Sequence, residues 1–220
     1  MARIFISRAI KPNTAWAEWA ISEGHQVHGV SCIQTQPVSF QKLQKTDWIF
    51  FSSSEGAKYY FSQCAHEQEK IAAMGPGTAE TLKQLGIAVD WMGSASDPLQ
   101  VAQAFRKQLS PAASVLFPQS AQTKNSIAPH LSDVVTHHVT VYDTCPQIVP
   151  TQYADIWIFS SPSNVMAYQQ QHVLDSLSSY IAYGPTTALV MQQLGLKNII
   201  TLEQVSDATI IEAIKETLLG

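Results

Sequence analysis

Short apolar runs alternate along the chain with stretches in which apolar residues recur at the spacing of a helix. Such runs predict strands and the stretches between them predict crossover helices, so the pattern indicates an α/β protein with parallel sheets. The predicted strands span residues 3–7, 26–33, 48–52, 70–74, 88–92, 114–118, 134–142, 156–160, 180–183 and 198–202. The predicted helices span residues 14–24, 56–63, 78–86, 98–109, 126–131, 163–171, 186–195 and 208–219.

One segment of this pattern occurs twice along the chain, with similar residues. The first copy reads WIFFSSSEGAKYYF and then IAAMGPGTAETLKQLG, and the second reads WIFSSPSNVMAYQQ and then IAYGPTTALVMQQLG. Phe51 corresponds to Phe159 and Leu85 to Leu194, so a gap of one residue separates the two registers. A duplication of about half the chain predicts two similar domains, each a parallel sheet flanked by helices with its own core.

Two segments, one before each copy, suggest how the domains divide. Residues 28–37 and 137–148 are long and extended, and each looks like a strand that crosses from one domain to the other. A simple tandem division at the midpoint fits the repeat equally well. The crossing arrangement has these bounds: a discontinuous domain of residues 1–36 and 145–220, a second domain of residues 37–144, and a linker of two hinge strands near 30–37 and 139–147.

The composition excludes several classes of protein. With 45% hydrophobic and 14% charged residues, the chain has ample apolar material for packing and is not disordered. A net charge of −4 argues against a broad basic face for nucleic acid. No apolar run approaches the roughly 18 residues that span a bilayer. Arg8 and Lys11 interrupt the apolar start that a signal peptide needs, so we expect a cytoplasmic protein.

Several familiar site signatures are missing. The three cysteines are scattered, and the seven histidines form neither HExxH nor a Cys/His cluster, so no metal site is expected. The chain also has no GxGxxG after its first strand, no phosphate loop and no GxSxG elbow. The chain therefore lacks the usual recognition elements for dinucleotides, nucleoside triphosphates and hydrolase substrates.

Four turns, two in each copy, are the candidate binding elements. GPGTA and GPTTA each place a glycine-proline turn before a helix, which leaves backbone N–H groups free to bind an anion. FSSSEG and FSSPSN add serine hydroxyls at the ends of predicted strands, where open α/β sheets bind ligands. Ordinary helix capping is the other use of each turn. The candidates are Ser53, Ser54, Gly75, Thr78, Ser161, Ser163, Gly184, Thr186 and Thr187.

Two cations and one phenol complete the candidates. Arg8 follows Ser7 at the end of the first strand, and a guanidinium there suits a carboxylate or phosphate; a surface salt bridge is its alternative role. Lys124, in the corresponding turn of the second copy, is the second cation. Tyr142, in VYDT on the returning strand, can donate a proton or a hydrogen bond, although a core or hinge tyrosine fits the pattern equally well.

Together these motifs resemble the uroporphyrinogen-III synthase family over nearly the whole chain. The resemblance rests on the order and spacing of Ser7-Arg8, FSS at Phe51, GPGTA at Gly75, VYDT at Tyr142, FSSPSNV at Phe159, GPTTA at Gly184 and the closing SDATIIEAI. It implies two α/β domains, the first discontinuous, joined by a two-stranded linker with the active site in the cleft between them.

The chain departs from the family pattern at three places. Gln119-Ser120 and Lys124 stand where many members carry an arginine-glycine pair and a second arginine, and Ala9 stands where a proline usually follows the first arginine. The basic character of the site is then expected to come from Arg8, Lys124 and Lys58.

The resemblance implies a cyclising hydro-lyase of tetrapyrrole (haem) biosynthesis. Such an enzyme converts 1-hydroxymethylbilane, a linear tetrapyrrole with eight carboxylates, to uroporphyrinogen III with loss of water and inversion of ring D through a spiro intermediate. The pyrroles supply the electrons, so no metal or organic cofactor is implied. Tyr142 would assist departure of the hydroxyl, the turn residues would hold carboxylates, and Arg8 would act as a charge anchor.

Two other functions fit parts of the sequence. A non-enzymatic two-domain binder of an anionic metabolite would use the same turns, although no export signal is evident. A transferase with a nucleotide-sugar cleft would need the missing phosphate loop. For the enzyme we expect a small-molecule partner only, with no nucleic acid and no membrane, and a monomer because the duplication supplies an internal partner. A transient contact with hydroxymethylbilane synthase is left open.

Overall fold

The computed structural model describes residues 1–41, 45–94, 97–123 and 126–219. The chain divides into two compact units, which we call unit 1 (Met1–Gln34 with Cys145–Gly220) and unit 2 (Thr35–Thr144). The chain therefore passes from unit 1 to unit 2 after Gln34 and returns after Thr144.

The strands are β1 (Arg3–Ile6), β2 (Gln26–Gly29), β3 (Ile33–Pro37), β4 (Trp48–Phe51), β5 (Lys70–Ala73), β6 (Trp91–Met92), β7 (Ser114–Ser120), β8 (Val135–Pro146), β9 (Ile156–Phe159), β10 (Ser179–Ala182) and β11 (Ile199–Thr201). The helices are α1 (Ala15–Ser22), α2 (Ser54–Phe61), α3 (Pro76–Gln84), α4 (Pro98–Arg106), α5 (Pro162–Gln169), α6 (Pro185–Gln193) and α7 (Asp207–Leu219).

Unit 1 is built on a five-stranded sheet in the order β11-β10-β9-β1-β2, with parallel pairing throughout. All four residues of the central strand β9 are buried, as expected for a parallel strand covered on both faces. Because side chains alternate along a strand, Trp157 and Phe159 enter one core cluster with Tyr168 of α5, while Ile156 and Ile158 enter the opposite cluster against α1 and α7.

Unit 2 contains a six-stranded sheet in the order β3-β8-β7-β4-β5-β6, and the pairs from β8 to β6 are parallel. Its central strand β4 repeats the arrangement of β9. Trp48 and Phe50 pack with Phe105 of α4 on one face, and Ile49 and Phe51 pack against α2 and α3 on the other. The predicted α/β fold with two similar helix-flanked sheets is confirmed.

Three predicted elements differ from the structure. The predicted strand at 26–33 is divided into β2 and β3, because the chain changes sheets there: β2 pairs with β1, whereas β3 lies next to β8 in the other sheet. The predicted helix at 126–131 is one 3₁₀ turn, Ala128–His130, because Pro129 disfavours the α-helical conformation of the residue before it. The predicted strand at 88–92 pairs only over Trp91–Met92.

Candidate active site

The candidate residues of unit 2 follow strands that are neighbours in its sheet. Because β4 and β5 pair in parallel, the turns that follow them meet at the same edge of the sheet, where α/β proteins bind ligands. Ser53 ends the first turn as the N-cap of α2, and its Oγ accepts the N–H of Gly56 at 3.0 Å. The Oγ of Ser54 donates to the carbonyl of Gly77 at 3.2 Å, which connects the two turns.

The N-terminus of α3 is arranged differently from that of α2. Gly75 is its N-cap and has no side chain to satisfy the first-turn N–H groups, while Pro76 at the first position has no N–H. The N–H groups of Gly77 and Thr78 are therefore directed at the edge of the sheet without a capping side chain. Thr78 is only 8% exposed, and among the described residues its hydroxyl has no hydrogen-bond partner.

Tyr142 lies on β8 and reaches the N-terminus of α2. Its phenol oxygen is 3.3 Å from the Oγ of Ser53, which brings together two residues that the sequence pattern nominated separately. Its ring stacks on the ring of Tyr59 from α2, with centroids 5.4 Å apart and an interplanar angle of 18°. The carbonyl of Tyr142 also accepts the N–H of Ala121, so the backbone at this point is tied to the turn after β7.

In unit 1, the first candidate residue joins two strand ends. Ser7 follows β1 and is fully buried, and its Oγ accepts the N–H of Ser160 at 2.9 Å. The two hydroxyls are 3.2 Å apart, and the Oγ of Ser160 donates to the carbonyl of Ser7. These bonds hold the turns after β1 and β9 together and fix the position from which Arg8 extends.

Arg8 is exposed and lies against the ring of Tyr183, which follows β10. Its Cζ is 5.4 Å from the ring centroid, a cation–π distance. Among the described residues Arg8 has no carboxylate partner, whereas Arg3 and Arg106 are paired with Asp155 and Asp133. Arg8 therefore carries a guanidinium that is held in place without being neutralised.

The phenol of Tyr183 is the unusual member of this pair. Its oxygen is buried and has no hydrogen-bond partner among the residues that the structure describes, and burial raises the pKa of the group. Tyr183→Phe is therefore expected to keep the contact with Arg8 and to raise the free energy of unfolding by about 1 kcal/mol, because an unsatisfied buried hydroxyl is removed. Urea unfolding of both proteins measures this change. A loss of stability in the phenylalanine variant would show that the hydroxyl has a partner.

Ser161 and α5 repeat the serine cap of unit 2. The Oγ of Ser161 accepts the N–H of Asn164 at 3.3 Å and the side-chain amide of Asn164 at 3.0 Å. The buried Asn164 also accepts the N–H of Cys32 at 2.8 Å, which ties this turn to the segment after β2. The sequence pattern did not nominate Asn164 or Ser160, although both lie within the FSSPSN turn.

The N-terminus of α6 has the same open form as that of α3. Gly184 is the N-cap and has a φ of 95°, a left-handed conformation that favours glycine, and no side chain caps the helix. Pro185 occupies the first position, Thr186 is exposed, and Thr187 is 1% exposed. Within the described part of the chain, the hydroxyl of Thr187, like that of Thr78, has no hydrogen-bond partner.

The remaining candidates have other surroundings. Ser163 is exposed in the first turn of α5. Lys58 forms a solvent-exposed ion pair with Glu55 at 2.8 Å, so its charge is partly neutralised by a residue of the same helix. Gln119 lies 3.1 Å from the Nδ1 of His138. Lys124 lies outside the described residues.

A metal site and a membrane-spanning helix are both absent from the described residues. Those residues contain no group of three or more His, Cys, Asp and Glu side chains placed to hold a metal ion. No helix among them has the length and apolar character needed to cross a membrane.

Comparisons with known proteins found a family model and solved structures that are similar to this chain. A family model described as uroporphyrinogen-III synthase HemD matches residues 15–212. The crystal structure of the uroporphyrinogen-III synthetase from Helicobacter pylori is similar, with 17% identity, a TM-score of 0.71, and coverage of 100% of this chain and 99% of that chain. A mutant uroporphyrinogen III synthase from Thermus thermophilus is similar at 14% identity and a TM-score of 0.58, with coverage of 100% and 99%.

No curated protein sequence matches the chain. The two structures show the shared fold, and the family model, which spans most of the sequence, shows the relationship. The chain belongs to the uroporphyrinogen-III synthase family.

Proposed function

We propose that this enzyme closes its linear tetrapyrrole substrate by holding carboxylates at the open N-termini of α3 and α6 and by donating a proton from Tyr142. As a uroporphyrinogen-III synthase, it is a cyclising lyase that converts 1-hydroxymethylbilane to uroporphyrinogen III with loss of water. The observation that carries the proposal is the repeated uncapped helix N-terminus, with a buried threonine in the third helical position of each unit. The family assignment gives no support to a non-enzymatic anion binder.

Carboxylate binding follows from the chemistry of these two helix N-termini. The serine hydroxyls of α2 and α5 already satisfy first-turn N–H groups, whereas α3 and α6 have no capping side chain. Free N–H groups and the helix dipole both favour an anion at such a position. The free hydroxyls of Thr78 and Thr187 would add one donor each, so each unit offers a cluster of neutral donors to the carboxylates of the substrate.

Arg8 supplies the charge that these neutral donors lack. A guanidinium forms two parallel hydrogen bonds with a carboxylate, and such bonds are about twice as strong as neutral ones. The ring of Tyr183 supports the guanidinium from one side and leaves its N–H groups available. The proposal therefore gives Arg8 the role of the fixed anchor for one carboxylate.

Tyr142 has the surroundings of a proton donor to the leaving hydroxyl. Because the Oγ of Ser53 accepts the N–H of Gly56, its own hydrogen is available for the phenol oxygen of Tyr142. The phenolic proton of Tyr142 is then free to pass to the departing hydroxyl as the carbon–oxygen bond breaks and water leaves. The electron pair for this step comes from the adjacent pyrrole, and the last ring closure returns a proton.

The inversion of ring D is a matter of geometry. Loss of water leaves an electrophilic carbon, which either of two carbons of ring D can attack. Attack by the substituted carbon leads through the spiro intermediate to uroporphyrinogen III. An enzyme selects this path by holding the chain so that the substituted carbon is nearer. Carboxylate contacts at the helix N-terminus that each unit offers are suited to that task.

Removal of the threonine hydroxyls tests the carboxylate sites. Thr78→Val and Thr187→Val keep the branched shape of the side chain, and each is expected to raise KM about tenfold with little change in kcat, since a hydrogen bond to a charged group contributes about 1.5–3 kcal/mol. Thr81→Val is the matched control, because that hydroxyl donates to Gly77 on the same helix. Unchanged KM values for both variants would remove α3 and α6 from substrate binding.

The setting of the enzyme is the last part of the proposal. The substrate is a small-molecule tetrapyrrole. We propose that the enzyme works as a cytoplasmic monomer, supported by the duplication that pairs two like units in one chain. Any contact with hydroxymethylbilane synthase, which makes the substrate, would be transient.

A further inference from the structure

Tyr59 of α2 occupies a position that the proposed reaction does not yet explain. Its ring is parallel to that of Tyr142 within 18° and lies 5.4 Å from it, which is the geometry of an offset stack. Both rings pack against the same core cluster, formed by residues such as Ile49, Phe51 and Val141. The face of Tyr142 is therefore held against an aromatic surface.

The hydroxyl of Tyr59 is anchored on β3. It donates to the carbonyl of Thr35 at 2.8 Å, and the Oγ1 of Thr35 lies 2.9 Å away. Thr35 in turn donates to Glu55 of α2 at 3.4 Å. Tyr59 is thus fixed at both ends, with its ring on β8 and its hydroxyl on β3.

One helix contributes both constraints on Tyr142. Ser53, the N-cap of α2, contacts the phenol oxygen, and Tyr59, in the last turns of α2, contacts the ring. A phenol with its oxygen held but its ring unsupported could still rotate, because the torsion to an aromatic ring is soft. Stacking beyond simple area burial contributes about 0.5–1.5 kcal/mol, enough to favour one ring orientation by roughly twofold to twelvefold.

We infer that Tyr59 is a positioning residue for the proton donor: it acts on the reaction only by holding the ring of Tyr142 in the orientation from which the phenol reaches the leaving hydroxyl. This inference rests on the proposed role of Tyr142. It assigns to α2 a purpose beyond packing, since the helix carries both groups that orient the phenol.

Loss of the Tyr59 ring and loss of its hydroxyl are expected to have different effects on kcat. Tyr59→Leu removes the stacking surface and is expected to lower kcat about tenfold with KM changed less than twofold, because misplaced catalytic groups lose rate while distant substrate contacts remain. Tyr59→Phe keeps the stack and loses the anchor on Thr35, so its kcat should fall no more than about threefold. Tyr153→Leu, at a tyrosine that is 76% exposed, is the matched control and should keep the full kcat.

The decisive comparison places Tyr59→Leu in a Tyr142→Phe background. If Tyr59 acts only through the phenol, the double variant has the same kcat as Tyr142→Phe alone, a non-additive result expected for residues that act as a unit. A further tenfold loss in the double variant would overturn the inference, since Tyr59 would then act independently of the phenol. Full activity in Tyr142→Phe alone would instead overturn the proposed donor.

Thermal unfolding of each variant accompanies the kinetics. Should Tyr59→Leu fold poorly, Tyr59→Met has a longer and more flexible side chain that adapts to the space without an aromatic face, and it allows the same comparison. A Met variant with wild-type kcat would overturn the inference, because it would show that the stacking face is not needed.

Discussion

Replacement of Tyr142 by phenylalanine is expected to lower kcat by about 10²-fold or more. A positioned general acid contributes about 10²–10⁴-fold to a reaction, and phenylalanine keeps the ring and its stack on Tyr59 while removing the proton. The uncatalysed cyclisation gives uroporphyrinogen I, so the fraction of isomer III among the products should fall together with the rate. A coupled assay that separates the two isomers measures both quantities.

The control for this change is Tyr153→Phe, which removes a hydroxyl from an exposed tyrosine in unit 1. It should leave both the rate and the product ratio unchanged. If Tyr142→Phe has the wild-type rate and gives isomer III alone, then a different group or a water molecule protonates the leaving hydroxyl. The stack of Tyr59 on Tyr142 would in that case serve only to pack α2 against β8.

The second large effect is expected at Arg8. Arg8→Ala removes the cation that has no carboxylate partner among the described residues, and KM should rise about 10–100-fold because a charge-assisted hydrogen bond contributes about 1.5–3 kcal/mol. Arg8→Lys keeps the charge and loses the planar pair of donors, so an intermediate KM is expected. Steady-state kinetics with substrate generated in situ gives both values.

Arg106→Ala is the matched control for Arg8. Arg106, the last residue of α4, forms an ion pair with Asp133, so its loss should affect stability and leave KM unchanged. Equal KM values for the Arg8 and Arg106 variants would mean that the guanidinium of Arg8 does not bind substrate. The contact between Arg8 and Tyr183 would then be only a surface cation–π pair.

Much of the fold followed from the sequence because its signals are local. The continuous apolar runs at Trp48 and Ile156 predicted buried parallel strands, and the glycine-proline turns predicted where α3 and α6 begin. The family resemblance depends on the order of such turns along the chain, and the match of the family model confirms it. The failure at residues 126–131 has a local cause as well, since Pro129 disfavours the α-helical conformation of Ala128 and only one 3₁₀ turn forms.

The partners of the candidate residues did not follow from the sequence, because they depend on which strands become neighbours. Tyr59 and Tyr142 are far apart in the chain and meet only because α2 packs beside β8. Ser7 was predicted from the sequence as a substrate-binding residue, and its contact with Ser160 could not be predicted because it exists only where β1 and β9 pair. The roles of the candidate residues in binding and catalysis remain predictions.

The most direct test of the account is the product formed from 1-hydroxymethylbilane. Hydroxymethylbilane synthase generates the substrate in situ, this enzyme is added, and the oxidised porphyrins are separated into isomers I and III. Isomer III is expected to predominate with the wild-type enzyme and to decline in Tyr142→Phe and Arg8→Ala. Isomer I alone, at the uncatalysed rate, would contradict it.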